Sequence, residues 1–196
     1  WDIATNQVTW SASCAAVHGI APGSFEGTFA AYQKDMHPDD RQHVLQAIKR
    51  TLEEGRDYSV EYRIVRPDGS VRWVEGRGTL TRDERGAPAA MVGVCVDITD
   101  RKGGEQQFRE VADAAPVMIW VTGPDKLCSW VNKPWLDFVG RSIGEEIGNG
   151  WCESIHPEDV DHCLDSYRRA FEAREPFTME FRLRRRDGVY RWILAN

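Results

Sequence analysis

The chain has 196 residues, which is enough for two domains of about 100 residues each, and its 41% apolar content excludes a disordered chain. No apolar run approaches the roughly 18 residues of a membrane-spanning helix, and no signal peptide is recognisable at the first residues. The net charge of -6 argues against nucleic acid as a partner, and five cysteines without paired spacing favour a reducing, cytoplasmic location.

The chain contains two consecutive copies of one domain. The tetrapeptide His-Pro-Asp-Asp at residues 37–40 recurs as His-Pro-Glu-Asp at residues 156–159, an offset of 119 residues. The same offset relates Glu61 to Glu180, as well as the Asp-Gly and Arg-Trp pairs that follow them. Solenoid repeats are much shorter, at about 20–50 residues, so this pattern predicts a domain duplication.

In chain order, each copy is predicted to begin with a short hairpin, at residues 1–10 in the first copy, and to continue with short helical turns over residues 19–27. The strongest helix signal starts at Pro38, because proline and two aspartates suit a helix N-terminus, and it stops at Gly55. The apolar stripe of this helix has helical spacing. It consists of Val44, Leu45, Ile48 and Leu52, matched in the second copy by Cys163, Leu164, Tyr167 and Phe171.

Three antiparallel strands are predicted after this helix. Apolar and polar residues alternate over residues 58–64, which is the period of a half-buried strand, and residues 177–183 repeat the alternation. A Pro-Asp-Gly turn leads to a return strand at residues 71–81, and the last strand spans residues 89–96. Residues 100–114 are predicted to form a helix that leads into the second copy.

Several motifs along the chain match one known family. They are His-Pro-Asp-Asp-Arg at residues 37–41, the segment of residues 61–73, and Val-Asp-Ile-Thr-Asp-Arg-Lys at residues 96–102. The second copy adds Ala115, Pro116, Trp120, Asn132, Trp135, Gly140 and the block of residues 156–192. Taken together, and in this order, they resemble PAS domains, in the subclass common in bacterial sensor proteins.

This resemblance implies an α+β fold of two PAS domains, each a five-stranded antiparallel sheet with helices packed on one face, often around a small cavity. We expect a first domain over residues 1–100 without its N-terminal helix, a linker helix over residues 101–115, and a second domain over residues 116–196 without its last strand. An absent strand leaves an unpaired sheet edge, so we expect the second domain to be the less stable one.

The resemblance also implies a function. PAS domains bind ligands or cofactors, dimerise, and pass a signal along a helix to an output domain. We therefore expect the sensory or relay region of a bacterial two-component system, acting as a homodimer with a histidine kinase domain of the same chain. Two alternatives stay open: a haem- or flavin-bound sensor of redox state, gas or light, and the sensory region of a cyclic-di-GMP enzyme. We expect no nucleic-acid partner, no membrane insertion by this segment, and no catalytic site within it.

The titratable residues of the predicted helix offer no catalytic pair. Asp39 and Asp40 point about 100° apart on a helix, so they are expected to stabilise its N-terminus rather than to act on one substrate. His43 and His162 lie on a mostly polar helix face, so we expect surface positions rather than haem ligation. The Asn-Cys-Arg-Phe-type motif of flavin-photosensing PAS relatives is also absent, so no cofactor is predicted, while a small-molecule ligand stays possible.

The other histidines and the cysteines are interpreted as structural. His37 and His156 stand where the helix starts and are expected to form local hydrogen bonds. Cys95 and Cys163 lie in apolar runs and are expected to be small core residues. No metal-binding spacing such as Cys-x-x-Cys occurs, so no metal site is predicted.

Three further features have a structural and a functional interpretation. Trp73 and Trp192 are expected in the core, with ligand stacking as the alternative. The Gly-Arg-Gly run at residues 76–78 lies in a predicted strand and is too short for a phosphate loop. The three arginines at residues 184–186 are expected to form a solvated turn, with docking to an acidic partner as the alternative.

The connection between the copies is the predicted signal-coupling segment. Asp97, Ile98 and Thr99 match the Asp-Ile-Thr motif that, in PAS relatives, joins the sheet to the outgoing helix, although Asp and Thr also form ordinary helix caps. Gly103 and Gly104 follow, and each costs about 1 kcal/mol relative to alanine inside a helix. We interpret them as a hinge between the copies, unless the helix simply begins after them. One face of this helix is predicted to carry Phe108, Val111 and Ala115.

Overall fold

The computed structural model describes all 196 residues of the chain. They form two compact units, Trp1–Glu105 and Gln106–Asn196. Each unit combines antiparallel strand pairs with helices, so the predicted α+β fold is confirmed. No helix of the chain is both long enough and apolar enough to cross a membrane.

Three helices come before the strands of the first unit: α1 (Ala12–Val17), α2 (Phe29–Lys34) and α3 (Pro38–Glu54). The hydroxyls of Ser11 and Thr28 accept backbone N–H groups at the starts of α1 and α2, which satisfies donors that a helix leaves free. Each of these two helices has only 6 residues, too few for a periodic apolar pattern to reveal it in the sequence.

Helix α3 confirms the predicted long helix. Pro38 lies in its first turn, and it ends at Gly55, whose φ of 70° is a left-handed conformation that favours glycine. Val44 is fully buried in the stripe, whereas Leu45 and Leu52 pack at the margin of the core. The buried residues of the helix are Val44, Ala47, Ile48 and Thr51.

The sheet of the first unit is antiparallel and has the order β1–β2–β3. Its strands are β1 (Tyr58–Val65), β2 (Val71–Arg82) and β3 (Pro88–Asp97). Gly69 has a φ of 83° in the turn between β1 and β2, as the Pro-Asp-Gly turn requires. All three predicted strands of this region are confirmed.

The expected hairpin at residues 1–10 is reduced to isolated bridges. Asp2 pairs with Gln7 and with Ala90 of β3, and Gln7 pairs with Thr28. The segment is too short and too polar to form two full strands, so the sheet has three strands and a bridged edge instead of the expected five strands.

Helix α4 (Thr99–Ala114) begins in the first unit and ends in the second. It continues through both glycines, so the alternative in which the helix begins after them is wrong. Phe108 and Val111 of the predicted apolar face are exposed, so packing of this face on a partner helix stays a prediction. Ala112 is the buried residue of the helix, and its carbonyl accepts a hydrogen bond of 2.7 Å from the Asn132 side chain.

The second unit has four strands, the number expected for a domain without its last strand, but they form two separate antiparallel pairs instead of one sheet. One pair precedes its helices and the other follows them, and the buried residues of both pairs belong to one apolar core. The elements are β4 (Trp120–Thr122), β5 (Cys128–Val131), α5 (Lys133–Val139), α6 (Ile143–Glu146), a 3-10 helix (Gly150–Ser154), α7 (Val160–Ala173), β6 (Met179–Arg184) and β7 (Tyr190–Ala195).

Candidate functional site

The first unit contains a cavity of about 440 Å³, lined by residues of α1, α2, α3 and the three strands. This volume lies in the range of about 300–1,000 Å³ that is typical of small-molecule sites. Its walls are largely aromatic and include Trp10 and a stacked pair, Trp1 and Phe29, whose ring centroids are 4.5 Å apart. The charged residue in the wall, Arg77, already pairs with Glu75 at 2.7 Å.

Three tyrosine hydroxyls form the main polar patch of this cavity. Tyr32 on α2 lies 3.0 Å from the hydroxyl of Tyr62 and 3.4 Å from that of Tyr58, which share one face of β1. Burial raises the pKa of all three phenols, so they stay protonated and can donate hydrogen bonds. Gly76 makes room for them, because a Cβ there would lie 2.9 Å from the Tyr58 ring.

A histidine and two cysteines form a second polar cluster in the cavity wall. His18 is only 2% exposed, and its Nδ1 lies 3.2 Å from Asp35 Oδ2. Its Nε2 lies 3.9 Å from the Cys95 sulfur, and Cys14 on α1 completes the cluster. Both ring nitrogens of His18 therefore have neighbours. No group of three or more His, Cys, Asp or Glu side chains is arranged to hold a metal ion.

In the core of the second unit the enclosed space is only about 20 Å³, much smaller than the first-unit cavity, although a more open pocket of about 570 Å³ lies beside Trp120, Tyr167 and Phe177. The 119-residue offset of the repeat explains this difference, because larger or apolar residues replace the tyrosines and the glycine of the first unit. The replacements are Trp151 for Tyr32, Phe177 for Tyr58, Phe181 for Tyr62 and Ala195 for Gly76.

The predicted coupling residues form a compact junction where β3 meets α4. Asp97 Oδ1 accepts hydrogen bonds from the Thr99 backbone N at 2.9 Å and from its hydroxyl at 2.6 Å. Thr99 Oγ1 in turn accepts one from the Trp73 backbone N at 3.0 Å. Ile98 is buried, and its N–H donates to the Trp73 carbonyl at 2.9 Å. The start of the helix is therefore fixed to β2.

Arg66, which the sequence did not single out, links this junction to α1. Its Nε donates to the carbonyl of Val17, the last residue of α1, at 2.8 Å. Its Nη2 lies 3.5 Å from Asp97 Oδ2. Gly19 lets this side chain approach, because a Cβ there would lie 2.9 Å from Arg66 Cδ. A continuous series of polar contacts thus runs from α1 to the start of α4.

The acidic pair at the start of α3 does more than stabilise the helix end. Asp40 accepts hydrogen bonds from Arg63 on β1, from its backbone N at 2.8 Å and from Nη2 at 2.6 Å. Asp159 and Arg182 repeat the arrangement at 2.9 and 2.7 Å in the second unit, where Arg182 lowers the pKa of Asp159 to about 2. Asp39 and Asp40 thus join the start of α3 to β1 through Arg63.

The histidines lie where the sequence predicts them. His43 and His162 are exposed, on the outer faces of α3 and α7. In His37 and His156, Nδ1 accepts a hydrogen bond of 3.3 Å from the backbone N two residues later. None of these four side chains lies in the wall of the first-unit cavity.

The tryptophan and cysteine predictions are only partly right. Neither Trp73 nor Trp192 is a core residue, because strand alternation places both on the outer faces of their sheets, where Trp192 is 69% exposed. The guanidinium of Arg63 lies over the Trp73 ring, and that of Arg182 lies over the Trp192 ring. Cys163 is buried in the core as predicted, whereas Cys95 lines the cavity. The run at residues 76–78 lies within β2 and is not a phosphate loop.

The arginines at residues 184–186 form the predicted turn. Arg185 pairs with Asp187 across the turn, and the backbone N of Arg186 donates to the Phe138 carbonyl at 2.8 Å. Arg184 and Arg186 are exposed.

Comparison with known proteins gives a consistent result. The profile described as the PAS fold matches residues 7–95 and 129–196, one segment in each unit. An uncharacterized protein of Sinorhizobium fredii is 35% identical over 90% of this chain and 22% of its own length. The sensor protein FixL of Bradyrhizobium diazoefficiens is 31% identical, covering 72% of this chain and 31% of that protein.

Two histidine kinases are also similar to this chain. The peroxide stress-activated histidine kinase mak1 of Schizosaccharomyces pombe is 27% identical over 82% of this chain and 11% of its own length. A solved structure from Burkholderia thailandensis, a sensory box histidine kinase/response regulator, is 33% identical with a TM-score of 0.51, covering 57% of this chain and 82% of that chain. The chain spans less than a third of the length of each of these three curated relatives.

Proposed function

The chain belongs to the PAS fold family, and we propose that it is the sensory region of a bacterial signal-transduction protein with a histidine kinase as output domain. The support for this output is that similar proteins are named as histidine kinases or as a sensor protein. The runner-up is a cyclic-di-GMP enzyme, because a probable diguanylate cyclase of Escherichia coli is 25% identical over 168 residues.

The observation that carries a sensing role is the cavity of about 440 Å³ in the first unit. Its aromatic walls favour a flat, apolar ligand, and its neutral tyrosine hydroxyls favour a ligand with one hydrogen-bonding group. Because the Arg77 guanidinium already pairs with Glu75, an anionic ligand would lack a free cation. The proposed ligand is therefore a small neutral aromatic molecule, and the second unit, whose core space is nearly filled, acts as a relay.

The proposed signal route leads from α1 to α4. A ligand in the cavity contacts α1, whose last carbonyl is bound by Arg66. Arg66 also pairs with Asp97, which holds Thr99 at the start of α4. Glu61 on β1 adds a second attachment there, because its carboxylate pairs with Arg101 at 2.6 Å and with Lys102 at 2.5 Å. A shift of α1 would thus be transmitted to the first turns of α4.

Dimer formation and a cytoplasmic location are further parts of this proposal. Val92, Val94 and Val96 are exposed on β3 at 68%, 62% and 47%, a row of apolar side chains that a second copy could cover. A resident haem is not proposed, because His43 and His162 are exposed and both ring nitrogens of His18, the histidine in the cavity wall, already have Asp35 and Cys95 as neighbours. A resident flavin is not proposed, because the flavin motif is absent from the sequence.

Phenol is a suitable probe, because it combines an aromatic ring with one hydroxyl group. We expect saturable shifts of amide NMR signals in the first unit only. Replacement of Gly76 by alanine should weaken binding about tenfold or more, because the added methyl group pushes the Tyr58 ring toward the cavity. Tyr190→Phe, in the second unit and outside this cavity, is the matched control and should bind phenol as the wild type does.

Two results would count against this function. If phenol produces no saturable shifts in the first unit, and native mass spectrometry of the purified protein finds no retained molecule, the cavity is not a ligand site. The chain would then be a relay module without a ligand. A visible absorption spectrum of haem or flavin in protein produced with both available would instead favour the cofactor-bound alternative.

A further inference from the structure

The cavity wall of the first unit brings two cysteines from distant parts of the sequence to one histidine. Cys14 lies on α1 and Cys95 on β3, and both line the cavity, so a small solute in the cavity can reach them. The Cys95 sulfur is 3.9 Å from Nε2 of His18, whose Nδ1 faces Asp35 at 3.2 Å. The three other cysteines of the chain lie in the second unit.

The surroundings of the two thiols differ from those of ordinary core cysteines. Helix α1 packs against β3, and the neighbouring Cys95 and His18 side chains hold the pKa of Cys14 well below its usual value. The proximity of Cys14, together with burial, raises the pKa of Cys95. One thiolate is therefore favoured in the pair, on Cys14, beside a protonated thiol. Cys152 in the second unit is half-buried like Cys14, but burial raises its pKa.

We propose that Cys14 and Cys95 form a thiol oxidation site that closes to a disulfide when a hydroperoxide enters the cavity. This goes beyond the proposed ligand-sensing role, because it needs neither the ligand nor a resident cofactor. The thiolate is the reactive form of cysteine, and a sulfenic acid next to a second thiol condenses to a disulfide. Cys14 is thus the attacking residue, and Cys95 is the resolving residue.

The chemistry balances with hydrogen peroxide as the oxidant. The Cys14 thiolate attacks one peroxide oxygen, so an S–O bond forms, the O–O bond breaks and hydroxide leaves. The hydroxide takes the proton of the Cys95 thiol and becomes water. The Cys95 thiolate then attacks the Cys14 sulfur, so the S–S bond forms, the S–O bond breaks, and the departing hydroxide takes a solvent proton. Two cysteine sulfurs lose two electrons in total, and the peroxide gains them.

The disulfide has a structural consequence that makes it a signal. It would join α1 covalently to β3, the strand that ends at Asp97. Both elements already meet at Arg66, which binds the end of α1 and pairs with Asp97. Oxidation would therefore act on the same junction at the start of α4 that a cavity ligand reaches.

Hydrogen peroxide at one equivalent, followed by alkylation and non-reducing peptide mass spectrometry, tests the proposal on the wild-type chain. We expect a cross-linked pair of peptides that contains Cys14 and Cys95, while Cys152 stays alkylated as a free thiol. Before oxidation, iodoacetamide at mildly acidic pH should label Cys14 about tenfold faster than Cys152. Circular dichroism shows whether the protein is folded under these conditions.

Two variants separate the roles of the thiols. Cys95→Ser should stop at a sulfenic acid on Cys14, which dimedone traps, and Cys14→Ser should leave Cys95 unoxidised. Cys152→Ser is the matched control and should form the disulfide as the wild type does. The proposal is overturned if folded wild-type protein keeps free thiols at both Cys14 and Cys95, or if Cys152 is oxidised as fast. The measurement on the wild-type protein tests the proposal even if a variant fails to fold.

Discussion

Replacing Arg141 by methionine should destabilise the second unit by about 3–5 kcal/mol, because it leaves a buried carboxylate without its counter-charge. Glu146 is fully buried, with 0% exposure. Its Oε1 lies 2.8 Å from Arg141 Nε, and its Oε2 accepts a hydrogen bond of 2.8 Å from the Trp135 indole. Urea denaturation, followed by tryptophan fluorescence, measures the loss.

A second substitution tests whether the unpaired charge is the cause. Adding Glu146→Gln to Arg141→Met removes the buried charge and keeps an oxygen for the Trp135 indole, so most of the stability should return. Arg185→Met breaks an exposed pair with Asp187 and should cost far less. If the double variant is as unstable as Arg141→Met alone, the loss comes from packing rather than from the charge.

Replacing Gly103 and Gly104 together by alanine should stabilise helix α4 by about 2 kcal/mol, or about 1 kcal/mol for each glycine. Both glycines lie inside the helix, and a Cβ at either position would meet no atom within 4 Å. Alanine therefore adds helix propensity without a clash. Hydrogen exchange across residues 100–108 should slow, and in the full-length protein the basal output activity should shift, because the proposed hinge is stiffer.

The control for this prediction is a change elsewhere on the same helix. Arg109→Lys lies on its exposed side, away from the glycines, and should leave exchange at residues 100–108 unchanged. Unchanged protection in the double-alanine variant, together with unchanged output, would mean that the two glycines are only a spacer.

The repeat made much of the fold predictable. Residues that recur at one offset keep their structural role, so α3, the three strands of the first unit and the shared PAS fold follow from the sequence. The recurrence of Asp40 and Arg63 as Asp159 and Arg182 could also have predicted the contact between α3 and β1. The short helices α1 and α2 were missed, because 6 residues are too few for a periodic apolar signal.

The candidate site was much less predictable, because it depends on where the copies differ. Tyr58 and Tyr62 are an even number of positions apart in the alternating pattern of β1, so the sequence places them on one strand face. Tyr32 meets them only through the packing of α2. His18 and Cys95 are separated by 77 positions in the sequence and have no pattern that joins them. Side chains that come together through tertiary packing alone leave no periodic signal along the chain.

The central claim is that the cavity of the first unit controls the start of α4 through Arg66. Hydrogen exchange of residues 97–108, with and without saturating phenol, tests it most directly. We expect phenol to change protection there in the wild type, and Arg66→Met to abolish most of that change while phenol still binds, because Arg66 contacts both α1 and Asp97. Saturation of the cavity with no change in protection across residues 97–108 of the wild type would contradict the claim.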